Sequence, residues 1–497
     1  MSGQVEQSEW HAKAARVDFR NRAFVGGRFV DAASGETFDS VNPATGAILA
    51  QVSSCDDVDV NAAVTAARAA FESGGWSRIA PRERKRVLLR LAALVDAHRE
   101  ELALTDSLDM GKLVKDALAA DVAGSVAVIA WYAEAVDKVY GEIAAGEPDH
   151  LGLITREPLG VVGAVVPWNF PLAMAVWKLA PALAAGNSVV LKPAEQSPLS
   201  ALRLAELATE AGLPDGVLNV VPGFGERAGR ALGLHPDVDC VAFTGSTEVG
   251  KLFLRYSAES NMKQVWLECG GKSANLVFAD AHDLGEVAAA SCAGFFYNQG
   301  EVCSANSRLL VERPVRDEVV ARIAEEAVRF RPGDPLHSES TMGALVDERH
   351  TERVMSYIEA GKRTARLVCG GERVRVGGTG CFVEATVFEG VAPDDTIARE
   401  EIFGPVLSIL EFDDEEEAVA LANDSVYGLA ASVWTTSLSR AHRLARRLNV
   451  GTVSVNALDV VRTETPFGGV KQSGFGRDLS LHALDKYCAL KTTWIRY

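Results

Sequence analysis

The chain has 497 residues, of which 48% are hydrophobic and 24% charged, an ordinary composition for a globular protein of two or three domains. Its 67 acidic and 50 basic residues give a formal net charge of −17, which argues against nucleic-acid binding and tolerates a cationic substrate. Eight scattered cysteines without a Cys-x-x-Cys pair indicate neither a disulfide framework nor a zinc site, so we expect reduced thiols and no metal.

The N-terminal segment 1–18 is polar and mixed in charge, without the apolar centre of a secretory signal, so we expect a cytoplasmic protein. Residues 57–137 have helical periodicity. Residues 160–177 then include no charged side chain, and this length fits a membrane span. Because Pro167 and Pro171 interrupt the segment and its first residues favour a buried parallel strand, we reject the span.

Four short apolar runs separated by helical patterns follow, and they predict strands at 161–166, 188–191, 217–221 and 240–243. Strands that alternate with helices are typical of a parallel wound sheet. Ligands of such sheets bind at the carboxyl ends of the strands. The turn residues after these runs, such as Trp168-Asn169 and Gly245-Ser246, are therefore expected to share one crevice.

A second wound unit is predicted after residue 268. Its expected strands are 275–278, 309–312, 406–411, 432–435 and 452–456, with helices at 316–329, 415–422 and 438–448. The fold class is therefore α/β. Asn169 belongs to the first unit and Cys303 to the second, which predicts an active site in the cleft between them.

Three separated motifs supply the groups of a covalent reaction. Cys303 follows an apolar helix and a Gly-containing turn, where a thiol can serve as a nucleophile. Asn169 stands between two prolines and can donate to an oxyanion. Glu268 precedes two glycines and can act as a base.

Other interpretations of the cysteine remain open at this point. Most cysteines are small buried hydrophobes, and a catalytic thiol can also belong to a cysteine hydrolase. None of the nine histidines falls in a recognisable partner motif for such a hydrolase. A binding protein that keeps the fold without catalysis is a further alternative.

From about residue 24 to residue 494 the chain resembles the aldehyde dehydrogenase superfamily, with Asn169, Glu268 and Cys303 on the family's catalytic positions. The resemblance implies two wound parallel-sheet domains and a small β oligomerisation element. The implied NAD-binding domain comprises 20–139 and 160–267, the catalytic domain 268–470, and the oligomerisation element 140–159 and 480–497. The implied assembly is a homodimer or homotetramer.

No Gly-x-Gly-x-x-Gly follows the first strand, and the turn Gly245-Ser246 before a helix is the candidate phosphate site. A plain helix cap is the alternative interpretation. By resemblance, this turn binds NAD(P) together with residues after other strand ends and in the segment 401–405. The implied cofactor-binding residues are Trp168, Lys192, Glu195, Gly225, Gly245, Ser246, Glu401 and Phe403.

A carboxylate at Glu195 can accept hydrogen bonds from ribose hydroxyls and repels a 2′-phosphate, which favours NAD over NADP. Lys192 can equally be a solvated loop lysine. By spacing alone, Phe403 is simple core.

The resemblance also implies a proton relay beside Glu268 that involves Lys178 and Asp478, although Glu is more common at the latter position. A solvated lysine on an amphipathic helix is the alternative for Lys178. The presence of Glu268 implies release of a carboxylate rather than acyl transfer to coenzyme A.

The segments 131–138, 261–266 and 476–484 resemble the branch that oxidises γ-glutamyl-γ-aminobutyraldehyde and related ω-aminoaldehydes. Glu301 and the segment 456–465 depart from that branch, so a broad-specificity aliphatic or betaine-type enzyme remains an alternative. The substrate residues that we infer are Asp121, Trp177, Tyr297 and Phe467. A solvent-facing position is the alternative for Asp121.

Overall fold

The structure is a computed structural model that describes residues 9–376 and 378–497. The first eight residues of the polar segment 1–18 lie outside that part of the chain.

Eight strands form the first sheet, and five neighbouring ones in its middle are parallel and almost fully buried. In spatial order the strands are Arg28–Val30, Ala23–Val25, Leu218–Val220, Ser188–Lys192, Val161–Val165, Cys240–Thr244, Gln264–Glu268 and Gly474–Phe475. The four strands predicted from apolar runs are all present, with ends that differ by one residue. The antiparallel edge strands at 23–30 and 474–475 were not predicted.

The order of the strands reverses at Val161–Val165. The chain first adds Ser188–Lys192 on one side of it and later adds Cys240–Thr244 on the other. Loops that leave neighbouring strands in opposite directions open a crevice at the carboxyl end of the sheet. Asn169 follows the first of these strands and Gly245 follows the third, so both loops border the crevice.

Seven strands form the second sheet, in which only the first strand is antiparallel to its neighbour. Their spatial order is Arg366–Cys369, Thr386–Glu389, Val406–Phe412, Arg308–Glu312, Ala274–Val277, Ala430–Trp434 and Thr452–Val455. The five predicted strands are confirmed, and the first two are additional. Together the sheets confirm the predicted α/β class.

Helices cover both sheets. In the first unit they are Asp57–Ser73, Pro81–Ala97, Arg99–Met110, Val114–Asp116, Ala123–Ala135, Pro171–Ala185, Leu199–Glu210, Arg230–Leu234 and Thr247–Glu259, with π-helical turns at Ala117–Val122 and Gly225–Gly229. In the second unit they are Leu284–Phe296, Arg316–Ala327, Glu348–Thr364, Thr396–Arg399, Glu415–Asn423 and Leu438–Arg447. Short 3₁₀ helices occur at Arg313–Val315, Lys471–Ser473 and Leu481–Tyr487, and Tyr297–Gly300 is a turn that includes non-helical residues.

The continuous helical stretch Val114–Ala135 is long and apolar enough to cross a membrane by length and composition alone. In the fold it packs between the helices Pro81–Ala97 and Pro171–Ala185, and it contributes Val128 and Ile129 to the largest core cluster. Its apolar surface is thus used inside the protein. The segment 160–177 forms a buried strand and the start of a helix, as predicted.

A third, three-stranded sheet stands apart from the two cores. The final strand Cys488–Arg496 pairs along its whole length with His150–Pro158, which also pairs with Glu142–Ala144. The final strand is exposed, and Trp494 is 56% accessible. Two further hairpins join Thr37–Val41 to Ile48–Ser53 and Arg373–Val376 to Thr379–Val383. The role of the third sheet in oligomerisation stays a prediction.

Candidate active site

A cleft of about 790 Å³ receives the three predicted catalytic side chains. Asn169 comes from the crevice of the first sheet, Glu268 from the end of the strand Gln264–Glu268, and Cys303 from the turn before the strand Arg308–Glu312 of the second sheet. The cleft therefore brings together residues that lie far apart in the sequence.

The turn before Cys303 has an unusual backbone. Asn298, Gln299 and Gly300 are three consecutive residues with φ of 48°, 57° and 73°. Side chains rarely adopt this left-handed region, so the surrounding contacts must hold it. A Cβ on Gly300 would lie 2.5 Å from the carbonyl oxygen of Gly404, so only glycine fits there. The turn thus fixes the direction from which Cys303 enters the cleft.

The surroundings of Cys303 favour the protonated form of its thiol. Burial raises its pKa well above the ordinary value, and the negative charges of Asp459, Glu401 and Glu268 raise it further. Asp459 is held beside the nucleophile because its Oδ2 accepts a hydrogen bond of 2.6 Å from the Ser304 hydroxyl. A base must therefore accept the thiol proton before or during attack.

The Asn169 amide lies beside the nucleophile turn. Its Nδ2 donates to the carbonyl oxygen of Glu301 at 2.8 Å, and Asn298 Nδ2 donates to the carbonyl oxygen of Asn169 at 3.1 Å. The amide nitrogen of Asn169 has two N–H groups, and the hydrogen bond to Glu301 uses one of them. The side chain is thus pinned in place with a donor available for a substrate oxygen.

The Glu268 carboxyl group is 4% exposed, and neither of its oxygens has a hydrogen-bond partner in the described part of the chain. Burial raises its pKa well above the ordinary value, and the negative charge of Asp478 raises it further. A buried carboxylate without donors binds a proton readily. Such a group suits a general base that must accept a proton at each turnover.

Lys178 is a buried neighbour of Glu268 and does not lie on a solvated face of its helix. Its side chain is 1% exposed, and its Nζ donates to Asp478 Oδ2 at 2.5 Å. The solvated alternative for this lysine is therefore wrong. Asp478 lines the cleft and also pairs with Lys486, a residue that the sequence analysis did not single out because no motif surrounds it.

The turn Gly245-Ser246 lines the cleft at the start of the helix Thr247–Glu259. Ser246 Oγ accepts a hydrogen bond of 3.3 Å from Val249 N, so the residue does cap this helix. The buried hydroxyl of Thr244, one residue before the turn, has no hydrogen-bond partner among the described residues and also lines the cleft. Gly245 N donates to the carbonyl oxygen of Glu268 at 3.1 Å, so the other N–H groups at the helix start, together with the helix dipole, are those that fit a pyrophosphate.

Lys192 and Glu195 lie outside the cleft lining, as does Gly225. Lys192 ends its strand and is 3% exposed, so the solvated alternative is wrong. Its Nζ pairs with Glu195 Oε2 at 2.9 Å. Their position at the carboxyl end of the strand Ser188–Lys192 is compatible with a ribose site, which stays a prediction.

The segment after residue 400 borders the cleft from the second unit. Glu401 Oε1 accepts a hydrogen bond of 3.0 Å from Gly271 N, and burial raises the pKa of this carboxyl to about 7. Phe403 has a φ of 61°, and its ring centroid lies 5.3 Å from that of Trp168. Phe403 lines the cleft and is not simple core.

His350 also lines the cleft and was missed in the sequence because it lies in no motif. Its Nε2 donates to the carbonyl oxygen of Phe403 at 2.7 Å and lies 3.7 Å from Glu301 Oε1. In the described residues no hydrogen bond joins it to Cys303. This histidine therefore holds Phe403 and is not placed as the partner of a hydrolase thiol.

The four inferred substrate residues all line the cleft. Trp177 and Phe467 form an edge-on pair with centroids 5.4 Å apart, and Tyr297 stacks on Phe170 at 6.2 Å. Aromatic rings therefore form part of the cleft wall.

Asp121 is 2% exposed, so its solvent-facing alternative is wrong. The carboxylate pairs with Lys112, whose Nζ lies 2.5 Å from Asp121 Oδ1 and 3.9 Å from the ring centroid of Phe170. Its Oδ2 has no hydrogen-bond partner in the described part of the chain. One of the two carboxylate oxygens of Asp121 is thus already paired with Lys112, and the sequence did not predict this ion pair.

The chain is similar to known proteins in sequence and in fold. The model of the aldehyde dehydrogenase family matches residues 29–493. The NADP/NAD-dependent aldehyde dehydrogenase PuuC of Escherichia coli (strain K12) is 53% identical over 486 residues, which cover 98% of each chain. A structure of P. syringae AldA indole-3-acetaldehyde dehydrogenase, in complex with NAD⁺ and IAA, is 54% identical with a TM-score of 0.98 and 99% coverage of each chain.

The γ-glutamyl-γ-aminobutyraldehyde dehydrogenase of Burkholderia cenocepacia J2315 is 55% identical to the chain, with a TM-score of 0.96. The match covers 99% of each chain.

Proposed function

The chain belongs to the aldehyde dehydrogenase family, and from that premise we propose that it oxidises an ω-aminoaldehyde such as γ-glutamyl-γ-aminobutyraldehyde to the carboxylate, with NAD as hydride acceptor. The observation that carries this proposal is the meeting of Asn169, Glu268 and Cys303 in one cleft. A nucleophile, an oxyanion donor and a base together can make and hydrolyse a thioester.

The first step is attack of the Cys303 sulfur on the aldehyde carbon. The thiol proton leaves to a base, and we assign this role to Glu268, which is one of three cleft carboxyl groups, with Asp459 and Glu401, whose charges act on the thiol. The carbonyl oxygen gains a negative charge, which Asn169 Nδ2 and the backbone N–H of Cys303 stabilise. The result is a hemithioacetal oxyanion bound to the enzyme.

NAD, when bound, accepts the hydride from the substrate carbon. The residues that we propose to hold it are the helix start at Gly245-Ser246, the Thr244 hydroxyl and Glu401 on the other wall of the cleft. Phe403 and Trp168 provide a flat apolar border beside them. These groups fit a dinucleotide because they combine free donors with an aromatic surface.

The thioester on Cys303 is then hydrolysed. Glu268 removes a proton from a water molecule, which attacks the thioester carbon, and the carboxylate product leaves as the thiol is restored. The enclosed position of Glu268 supports this role. Its presence favours hydrolysis over acyl transfer to coenzyme A.

For the far end of the substrate, the support is the buried acid at Asp121. Asp121 lines the cleft and its Oδ2 has no hydrogen-bond partner in the described residues, which supports a role as acceptor for an ammonium group. The net charge of −17 also favours approach of a cation. The relative from Burkholderia cenocepacia is named for an aldehyde of this class.

A second candidate is oxidation of neutral aliphatic or aromatic aldehydes. It is favoured by the ion pair of Asp121 with Lys112, which reduces the negative charge that an ammonium would meet. The aromatic wall accepts apolar chains equally well.

A panel of aldehydes assayed with NAD and with NADP tests both candidates by the absorbance of the reduced nicotinamide. We expect the highest kcat/KM for ω-aminoaldehydes with NAD. Equal kcat/KM for aminoaldehydes and for aliphatic aldehydes of the same length would reject the amine-specific proposal and leave the neutral-substrate candidate. No reduction of either cofactor with any aldehyde would reject both.

A further inference from the structure

A buried group of charges lies behind Glu268, and one of its members has no place in the chemistry described above. Lys178, Asp478 and Lys486 have side chains that are 1%, 1% and 4% exposed. Asp478 Oδ2 accepts from Lys178 Nζ at 2.5 Å, and its Oδ1 accepts from Lys486 Nζ. Two ammonium groups therefore share one carboxylate, and all three side chains are buried.

Glu268 is a direct neighbour of this group. A Cβ on Gly468 would lie 2.6 Å from Glu268 Oε1, so the carboxyl group lies against that residue. Phe467, the residue before it, exchanges two backbone hydrogen bonds with Asp478. Glu268 and Asp478 also line the same cleft. The base and the buried ion group are thus joined through one short stretch of backbone.

The balance of charge shows what the second lysine contributes. Lys178 and Asp478 alone neutralise each other, and an ionised Glu268 would then be a buried charge without compensation, which is strongly unfavourable. With Lys486 included, two positive and two negative groups lie together. We propose that Lys486 is a positioning residue whose ammonium provides the counter-charge for ionised Glu268. This inference rests on the proposed function, because it assigns Glu268 as the base.

The charged groups around Glu268 and Asp478 agree with this role of Lys486. Burial raises the pKa of Glu268 and so does Asp478, whereas Lys178 and Lys486 lower it. Burial also raises the pKa of Asp478, but its two lysine partners outweigh burial and bring the net value below the ordinary one. The two lysines thus favour the ionised form of Asp478, whereas burial favours the protonated form of Glu268.

The other ionisable groups packed around this ion group do not replace Lys486. Burial raises the pKa of Tyr132, Tyr487 and Cys240, so all three stay neutral. Arg477 adds positive charge near Glu268, but it is half-buried and its Nη1 donates to the carbonyl oxygens of Gly469 and Gly476. Solvent screens it more than the enclosed Lys486.

The backbone of Lys486 is held independently of its side chain. Cys240 Sγ donates to the carbonyl oxygen of Lys486 at 3.6 Å. The next carbonyl, of Tyr487, accepts from Leu159 N at 3.3 Å and from Asn187 Nδ2 at 3.0 Å. A change of the side chain is therefore expected to remove the charge without moving the chain.

The test follows hydrolysis of the acyl-enzyme directly. The full-length enzyme with NAD is given one equivalent of propanal, and the decay of the acyl-enzyme is measured by intact-protein mass spectrometry across a pH series. The hydrolysis rate falls on the acidic side of its pH profile, and this part of the profile is its acid limb. In Lys486→Gln we expect the acid limb to move to higher pH by about one unit, which is a roughly tenfold loss of rate below the new midpoint. The amplitude of the NADH burst stays as in the wild type.

Three further variants separate charge from structure. Lys486→Arg keeps the charge and is expected to keep the acid limb of the wild type. Asp478→Asn removes the opposing charge and is expected to move the limb to lower pH. Lys263→Gln is the matched control, since this lysine is 5% exposed and donates to Gly233 O and Ser260 Oγ at the opposite end of the strand Gln264–Glu268.

An acid limb that stays in place in Lys486→Gln, or that moves as far in the Lys263 control, would overturn the inference. A shift to higher pH in Asp478→Asn would also overturn it, and this arm remains decisive if Lys486→Gln does not fold. A wild-type enzyme that forms no acyl-enzyme would instead overturn the proposed function, and the inference with it.

Discussion

Asn169, Glu268 and Cys303 reach the cleft by three different routes. Asn169 lies in the loop at the switch of the first sheet, and Glu268 is the last residue of a buried strand. Cys303 follows three residues in the left-handed region. All three were predicted from sequence because each stands in a turn signal after an apolar run. Their approach to one another depends on two separate sheets and is not visible in any local pattern.

Replacement of Cys303 by Ala is expected to abolish aldehyde oxidation and leave NAD affinity nearly unchanged. The sulfur forms the covalent bond of the first step, whereas the proposed cofactor contacts come from other residues. We expect a loss of several orders of magnitude in kcat. Steady-state assays and a fluorescence titration with NAD measure the two effects. The buried Cys292 supplies the control, because its replacement by Ala removes a thiol of the core and no nucleophile.

Replacement of Glu268 by Gln is expected to separate the two half-reactions. An amide cannot accept the proton of water, so the thioester accumulates after NADH has formed. Stopped-flow absorbance should show a burst of NADH and then almost no turnover. In the wild type, hydrolysis should weaken as the pH falls through a value well above that of an ordinary glutamate, because burial raises the pKa of Glu268. Normal steady-state turnover in the variant would exclude this residue as the base.

Asp121→Asn is expected to raise KM for ω-aminoaldehydes several-fold and to change KM for hexanal little, because only the charged substrate loses an ionic partner. The buried ion pair makes this outcome informative. Removal of the carboxylate also leaves Lys112 buried without its partner, which is destabilising. Thermal unfolding of the variant must therefore be recorded beside the kinetics. An equal change for both substrates would remove Asp121 from substrate recognition.

The buried ion pairs of the site cannot be predicted from the sequence alone. Asp121 and Lys112 lie nine residues apart across a π-helical turn, and Asp478 and Lys486 lie eight apart across a 3₁₀ turn. Neither spacing matches the three or four residues that bring side chains together on an α-helix. Both pairs depend on irregular turns and on burial, for which the sequence has no simple pattern.

At the scale of elements, the buried strands were predicted well because parallel strands covered on both faces are continuously apolar. The strands Ala23–Val25, Arg28–Val30 and Gly474–Phe475 are two or three residues long and carry little periodicity. Their pairing is decided by distant partners, as when Gly474 joins Glu268 at the edge of the first sheet. Local sequence is a weak guide to such short edge strands.

Gly300→Ala is expected to lower kcat by more than the left-handed backbone conformation of residue 300 alone explains. The added Cβ would meet Gly404 O at 2.5 Å, so the turn before Cys303 must shift. Gly390→Ala is a matched control, since Gly390 has a similar φ of 64° with nothing within 4 Å of a Cβ. Both changes place alanine in the left-handed region, which costs about 1–2 kcal/mol. We expect a large loss of kcat only in Gly300→Ala; equal kinetic effects would show that this close approach does not position the thiol.

At the scale of the molecule, the exposed third sheet is the proposed interface between subunits. Leu490 on the final strand is 66% exposed, and a row of such residues on an edge strand favours association. Leu490→Lys is expected to shift the enzyme to smaller assemblies in multi-angle light scattering. Leu438→Lys is the control, because Leu438 is 73% exposed on a helix of the second unit. The same mass distribution for wild type and Leu490→Lys would argue against this sheet as the interface.

The final strand also has a practical consequence for attachment of the enzyme to a surface. A label or linker on Cys488–Arg496 would lie on a paired edge strand of the third sheet. Upstream, the same segment reaches Lys486 in the buried ion group after only two residues. We expect an attachment on this strand to strain the sheet and, through it, the surroundings of Glu268. Immobilised enzyme is therefore better attached through an exposed side chain of the second unit, such as a cysteine introduced at Leu438.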